Sequence, residues 1–256
     1  MKNLLALLSL CLLSCAAADD DFHAAAQAQW DQAESTVIQG SDGFLFWAAE
    51  YRYLSFPVTH GEAALQSGKS SKEELRDPLP AITDFRDKLK AKGIDLILVP
   101  IPPKAHVLHQ QAHLPAPPAT TGLAGMIKAL KAADLTVVNL APLLAAGGPG
   151  TYCKTDTHWS PLAGEVAAAI IATYIPDALK GSLDTTAKTE TITVTGDLAA
   201  DLPSDKPRTE TLPFTRIAGA DGNPISDDPT SPIVLLGDSH TLVFHDPTLL
   251  ASGGGL

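Results

Sequence analysis

Apolar positions recur along this chain in alternating helical and continuous runs, and the alternation outlines its elements. Between Ala81 and Lys92, Ile82, Phe85 and Leu89 fall at helical spacing, basic residues come late, and Gly93 supplies the stop. The run IDLILVPI, Ile94 to Ile101, follows as a short apolar stretch of the buried-strand type. The pair then repeats: Gly122 to Ala133 sets Leu123, Ile127 and Leu130 on one face, and LTVVNL, Leu135 to Leu140, reads as the next strand. Ser160 and Pro161 are the preferred cap and first-turn residues of a helix whose Leu162, Val166, Ile170 and Thr173 line one side. Ile233 to Leu236, IVLL, is a further buried-strand candidate. Val37 to Trp47, VIQGSDGFLFW, reads as strand, Ser-Asp-Gly turn and strand. The Thr- and Pro-rich stretch from Lys180 to Pro232 carries no pattern that assigns it to an element. Helices alternating with apolar strands predict an α/β fold with a mostly parallel sheet.

The first residues belong to a different pattern. MKNLLALLSLCLLSCAAADD has one early Lys, an apolar run from Leu4 to Leu13, and small residues before an acidic stretch, the layout of an export signal. The run is too short for a membrane span. Two ends are open: cleavage after Ala18, giving a signal over 1–18, or a lipobox Leu12-Leu13-Ser14-Cys15, giving a signal over 1–14 and a lipidated Cys15. Residues 19–35 then form an Ala-rich lead-in, and 36–256 the folded domain. The first cut leaves Cys153 as the one cysteine, so no internal disulfide framework forms. Its nearness to His158 raises a Cys/His pair, but a lone exported thiol more often packs as a small hydrophobe.

At 256 residues and 45% hydrophobic, the chain can bury a full core. Its formal net charge of −11 argues against a nucleic-acid partner, and a polyanionic glycan would have to meet a local cationic groove.

Candidate chemistry sits in two short blocks. In KTDTHWSP, Asp156 and His158 stand two positions apart, a spacing that puts both side chains on one side of extended backbone. In IVLLGDSHT, Gly-Asp-Ser lies at the exit of the predicted strand, where open α/β sheets bind ligands, so Ser239 is placed to attack a carbonyl. A serine needs a base, and the base needs an orienting group; His158 and Asp156 supply both. General-base help contributes roughly 10²- to 10⁴-fold, and an oxyanion donor such as the Ser239 N–H about 3 to 4 kcal/mol. Gly-Asp-Ser is also a common turn, and Asp-Thr-His a capped helix entry, so spacing alone leaves both readings open. His106, His109 and His113 have the spacing of a helical metal face, but Pro102, Pro103 and Pro115 bracket them without a carboxylate or thiol, which favours surface histidines. The aromatics Phe44, Phe46, Trp47, Tyr51 and Tyr53 suit either a sugar site or, more commonly, core.

TDTHWSP followed by GDSHT resembles the alginate O-acetyltransferases of the AlgJ/AlgX type, which carry an SGNH-hydrolase-like domain. VIQGSDGFLFW and VPIPPKA, Val99 to Ala105, match the same family in the same order, so the resemblance runs over roughly residues 36–245. It implies a three-layer SGNH-like fold in circularly permuted motif order, with the Asp/His block ahead of Gly-Asp-Ser. It implies a periplasmic enzyme that acetylates hydroxyls of an exported polysaccharide acceptor, alginate or similar, through an acetyl-serine. Carried over by motif, Ser239 is the nucleophile, His158 the base and Asp156 the orienting acid, with no metal or other cofactor. The acetyl donor is supplied by a membrane-bound O-acyltransferase partner. Family members continue well past the nucleophile, whereas ASGGGL closes this chain soon after Ser239, so a C-terminally incomplete domain is expected. Two further residues are candidates for substrate binding: Lys104, holding a charged group or supporting the fold, and Trp159, stacking on a sugar or packing against the following helix. The same triad suits a carbohydrate esterase, and a non-catalytic glycan-binding scaffold of an export complex is the reading from another class.

Overall fold

A computed structural model of the chain describes residues 21–67, 70–72, 75–119, 122–181, 184–203, 208–226 and 228–243. The export signal, its cleavage sites and Cys15 lie outside the described residues. The chain divides into two compact units, Met1–Asp42 with Trp47–Ala141, and Gly43–Phe46 with Pro142–Leu256.

In the first unit both predicted helix-then-strand pairs are present. The helices are Leu79–Lys90 and Gly122–Ala132, and the strands Ile97–Leu98 and Thr136–Val137 pair in parallel, Ile97 opposite Thr136 and Leu98 opposite Val137. The first helix starts two residues earlier than its apolar spacing suggests because Pro80 is tolerated in an opening turn, where no N–H is needed. Gly93 terminates the same segment with φ +75°, a region that costs a side-chain-bearing residue free energy. Leu123, Met126, Ile127, Leu130, Leu135 and Val137 form the buried cluster between these elements, with Ile82 and Leu98 packed on it. Tyr51, from the predicted aromatic group, is core, its hydroxyl donating to the Ala112 carbonyl at 3.0 Å.

The second unit is built on the helix Pro161–Thr173 and an antiparallel ribbon. Ser160 caps the helix, its Oγ accepting from the Ala163 N–H at 3.3 Å, with Pro161 in the first turn as the sequence predicts. The ribbon pairs Thr185–Val194 with Glu210–Gly219 through ten residues each, inside the stretch that sequence pattern leaves unassigned. Its logic is alternation: Ile192, Val194, Leu212, Phe214 and Ala218 share one face by register, and the strand Glu210–Gly219 lays it on the helix. Thr189, Thr191 and Thr193 take the other face, and Arg216 bridges Glu190 across the pair at 2.7 Å.

The fold is therefore α/β, but the strand content departs from expectation. Parallel pairing among the described residues is limited to two residues per strand, and the longest ladder is antiparallel. Ile233 to Leu236 form no strand; these residues are 40 to 79% exposed. An apolar run becomes a strand only when a neighbour takes its N–H and C=O groups, and no described segment does so here.

Candidate active site

The segment carrying Asp156 and His158 is a closed loop. Tyr152 and Trp159 face each other across an antiparallel bridge, the Cys153 N–H donates to the His158 carbonyl at 3.2 Å, and the Ser160 N–H to the Thr151 carbonyl at 3.0 Å. Between these pins residues 154–158 run through bends rather than extended chain. The two-residue spacing therefore works differently from strand alternation. Asp156 Oδ1 accepts the backbone N–H of His158 at 2.8 Å, an Asx turn, and the same oxygen accepts the His158 Nδ1–H at 2.6 Å. One carboxylate oxygen thus shapes the loop and anchors the ring. Asp156 Oδ2 accepts the Asp197 N–H at 2.9 Å.

Sequence reasoning missed three residues that hold this loop. Glu210 takes the Lys154 N–H on Oε2 at 2.9 Å, and the Thr155 N–H and hydroxyl on Oε1 at 2.8 Å each. Asp197 accepts the Thr157 N–H at 2.8 Å and the Thr157 hydroxyl at 2.6 Å. Gly196 lies so close that a Cβ there would stand 2.2 Å from the Thr155 carbonyl oxygen and 2.6 Å from the Asp156 Cβ. All three fall in the unassigned stretch, where the Gly-Asp pair at 196–197 is a local signal of a turn.

Ser239 opens the short helix Ser239–Leu242, capped by Asp238, whose side chain accepts the His240 N–H at 2.9 Å. Its Oγ lies 2.7 Å from His158 Nε2, across 81 positions of sequence. With Nδ1–H committed to Asp156, the Nε2 lone pair faces the serine hydroxyl. Trp159 ties the two segments a second time, its indole N–H donating to the His240 carbonyl at 3.1 Å. Asp156 and His158 are 4 and 7% exposed, whereas Ser239 is open to solvent.

Burial disfavours both charged forms, yet both shifts run the other way. For Asp156 the bonds from the His158 ring, the Asp197 N–H and the His158 N–H outweigh burial and hold its carboxyl below the usual range. For His158 the bond to Asp156 and the charges of Asp156, Asp197 and Asp238 outweigh burial and raise the imidazole. Both shifts thus favour an ionised Asp156 beside a protonated His158.

The other candidates fall elsewhere. Lys104 belongs to the first unit, where it begins the helix Lys104–Val107 and is 1% exposed. Trp159 is buried beside His158. The three histidines do not share a helix face, because their helix ends at Val107; His106 packs on Phe22, and burial, then the charge of His109, lowers its pKa to about 4. Cys153 is fully buried, its thiol donating to the Trp159 carbonyl at 3.4 Å. Among the described residues, Asp156, His158 and Asp197 are the one grouping with metal-like spacing, and hydrogen bonds within the loop already engage all three.

Residues 37–246 match the family described as the SGNH hydrolase-like domain of the acetyltransferase AlgX. The chain belongs to this AlgJ/AlgX family. Among curated members, the probable alginate O-acetylase AlgJ of Pseudomonas syringae pv. tomato is 31% identical over 198 residues, covering 69% of this chain and 44% of the relative. Its namesake from Pseudomonas fluorescens is 30% identical over 187 residues, 66% of this chain and 48% of the relative. The chain spans about half the length of the curated relatives it matches. Among solved structures, the O-acetyltransferase domain of Pseudomonas putida AlgJ superimposes with a TM-score of 0.53 at 24% identity, over 73% of this chain and 67% of that one, a likeness of fold. No described helix is long and apolar enough to cross a membrane.

Proposed function

We propose that this chain is an O-acetyltransferase that acetylates hydroxyls of an exported polysaccharide, alginate or similar, through a Ser239-His158-Asp156 triad. The observation that carries the reading is the continuous hydrogen-bonded line from Asp156 Oδ1 through both ring nitrogens of His158 to Ser239 Oγ, at 2.6 and 2.7 Å. His158 takes the Ser239 proton as Oγ bonds to the acetyl carbonyl carbon, and returns it to the departing donor group. The acetyl-serine then meets a sugar hydroxyl, whose proton passes to His158 as its oxygen attacks; collapse breaks the bond from Ser239 Oγ to the acetyl carbon, His158 returns the proton to Oγ, and the ester stays on the glycan. Asp156 stabilises the imidazolium in both halves. The curated relatives are named alginate O-acetylases, which supports a uronate-type acceptor. The periplasm, a membrane-bound O-acyltransferase as the source of acetyl groups, and the three-layer, circularly permuted SGNH arrangement complete this reading.

Purified protein given an acetyl ester donor and oligouronate is expected to yield acetylated sugar, and Ser239→Ala to abolish it. An alanine variant that transfers acetyl at the wild-type rate refutes the assignment. The solvent exposure of Ser239 favours a second reading, an esterase, because water reaches an acyl group there freely. Donor turnover that is the same with and without glycan selects the esterase; acetylated product selects the transferase.

A further inference from the structure

The residue after the nucleophile takes no step in the proposed acyl transfer, yet it is packed against the base. The ring centroid of His240 lies 4.8 Å from that of His158, with the planes tilted by 57°, and 5.7 Å from that of Trp159, edge-on at 85°. Its backbone is fixed at both ends, N–H on Asp238 Oδ1 at 2.9 Å and carbonyl under the Trp159 indole N–H at 3.1 Å. The side chain is 20% exposed, and its Nδ1 is buried without a hydrogen bond, 3.4 Å from Asp238 Oδ1 but out of alignment with it. Four contacts therefore join the nucleophile's helix to the loop of the base: serine on imidazole, indole N–H on carbonyl, and the His240 ring on both the His158 and the Trp159 rings.

We propose that His240 is a positioning residue for His158, a neutral ring that wedges the base so that Nε2 stays on Ser239 while His158 alone carries the reaction's proton. The proposal rests on the acyl-transfer reading. Asp156 anchors one end of the His158 ring, but a ring held at one nitrogen can still roll about that bond. A second surface against its face removes that freedom, and His240 supplies it. Neutrality matters as much as shape, since a cation here would oppose the imidazolium that each half-reaction forms. The charged groups facing the two rings are Asp156, Asp197 and Asp238 around His158, and Asp238 and Asp156 around His240. Burial first, and then the charge of His158, hold the His240 pKa below its ordinary value against the pull of Asp238 and Asp156. The rings thus titrate as a coupled pair, the first proton going to His158 and the second, at lower pH, to His240.

Ring signals of histidine-labelled full-length chain, followed by NMR through a pH titration, test the coupling. His158→Gln is expected to raise the midpoint of His240, because the first proton is no longer beside it; an unmoved midpoint overturns the proposal. A second arm follows turnover of an acetyl ester and labelling of Ser239 by a fluorophosphonate. His240→Ala is expected to lower kcat about 100-fold with KM little changed, the scale of a small misplacement of a reacting group, and His240→Phe to recover most of the loss. An alanine variant at wild-type rate, or a phenylalanine variant as slow as alanine, overturns it. Should His240→Ala fail to fold, the other two variants still decide. If the wild-type chain neither turns over the ester nor takes the label, the acyl-transfer reading fails by itself, and the titration still judges whether the rings are coupled.

Discussion

Gly196→Ala places one methyl group where the backbone leaves no room. The added Cβ would meet the Thr155 carbonyl oxygen at 2.2 Å, the Thr155 carbonyl carbon at 2.3 Å and the Asp156 Cβ at 2.6 Å. None of these is the free end of a flexible side chain, so the Gly196–Asp197 backbone and the Asp156 loop must part. Separation strains the Gly196 N–H bond to Thr155 Oγ1 at 3.2 Å and the Asp197 N–H bond to Asp156 Oδ2 at 2.9 Å. Overpacking costs about 1 to 3 kcal/mol, and loss of a hydrogen bond to a charged group about 1.5 to 3 kcal/mol, so stability falls by roughly 2.5 to 6 kcal/mol. Against a domain total of about 5 to 15 kcal/mol, that is a large fraction of the stability. Urea unfolding measures the first effect; the rate at which a fluorophosphonate labels Ser239 measures the second, expected to drop about 100-fold as Asp156 withdraws from His158. Gly181→Ala serves as the control, since the methyl it gains would have nothing within 4 Å. If Gly196→Ala unfolds and labels like Gly181→Ala, the close packing argued for this loop is wrong.

Under the proposed mechanism acetyl turnover needs neutral His158, so the rate should rise with pH through a value above the ordinary 6.5 of histidine, and a midpoint at or below 6.5 in the pH–rate profile contradicts the electrostatics. Stability has a matching signature: the contribution of Asp156 is complete above the ordinary carboxylate value of 3.8 and is lost as pH falls through its lowered folded value, while that of His158 is complete below 6.5 and is lost as pH rises through its raised folded value, so urea midpoints should decline on both flanks. Asp156→Asn keeps an oxygen for the Asx turn but removes the charge; turnover should fall about 10²- to 10⁴-fold and the residual acid limb should move to lower pH, and an unshifted limb would show that Asp156 does not set the base. Glu210→Ala strips the acceptors from Lys154 and Thr155, and should lower the unfolding free energy by about 1 to 3 kcal/mol together with the Ser239 labelling rate; wild-type labelling would mean the loop holds itself.

Helices were the legible part of this fold. The apolar spacing of Ile82, Phe85 and Leu89, and the Ser160-Pro161 start, are local signals, and both helices form where those signals lie. Strands were less legible because pairing is not local. IDLILVPI and LTVVNL yield two paired residues each, and IVLL none among the described residues, since a run's own composition does not state which neighbour will take its backbone groups. The long ribbon went unassigned because its threonines and charges mask an alternation that only the register Ile192 to Leu212 and Glu190 to Phe214 makes plain. The Asp156 and His158 pair was legible in outcome but not in cause: the spacing of two was right, and the bent Asx turn, not an extended strand, is what makes it right.

That difference in cause divides the site into a part that assembles locally and a part that does not. Asp156 and His158, the proposed acid and base, lie two residues apart, and a single oxygen joins backbone to ring, so their meeting costs little loop-closure entropy. Ser239, the proposed nucleophile, must come from 81 positions away, on a helix of four residues that follows an exposed apolar run. No paired strand of the described structure delivers it to the base. What holds it is the Asp238 cap, the Trp159 indole on the His240 carbonyl, and the contact between the two imidazoles. Perturbing the local half should therefore act on the charge and orientation of His158, and perturbing the distant half on how often Ser239 is in reach. The two classes of defect separate experimentally, because the first moves the pH dependence of Ser239 labelling and the second lowers its rate at every pH.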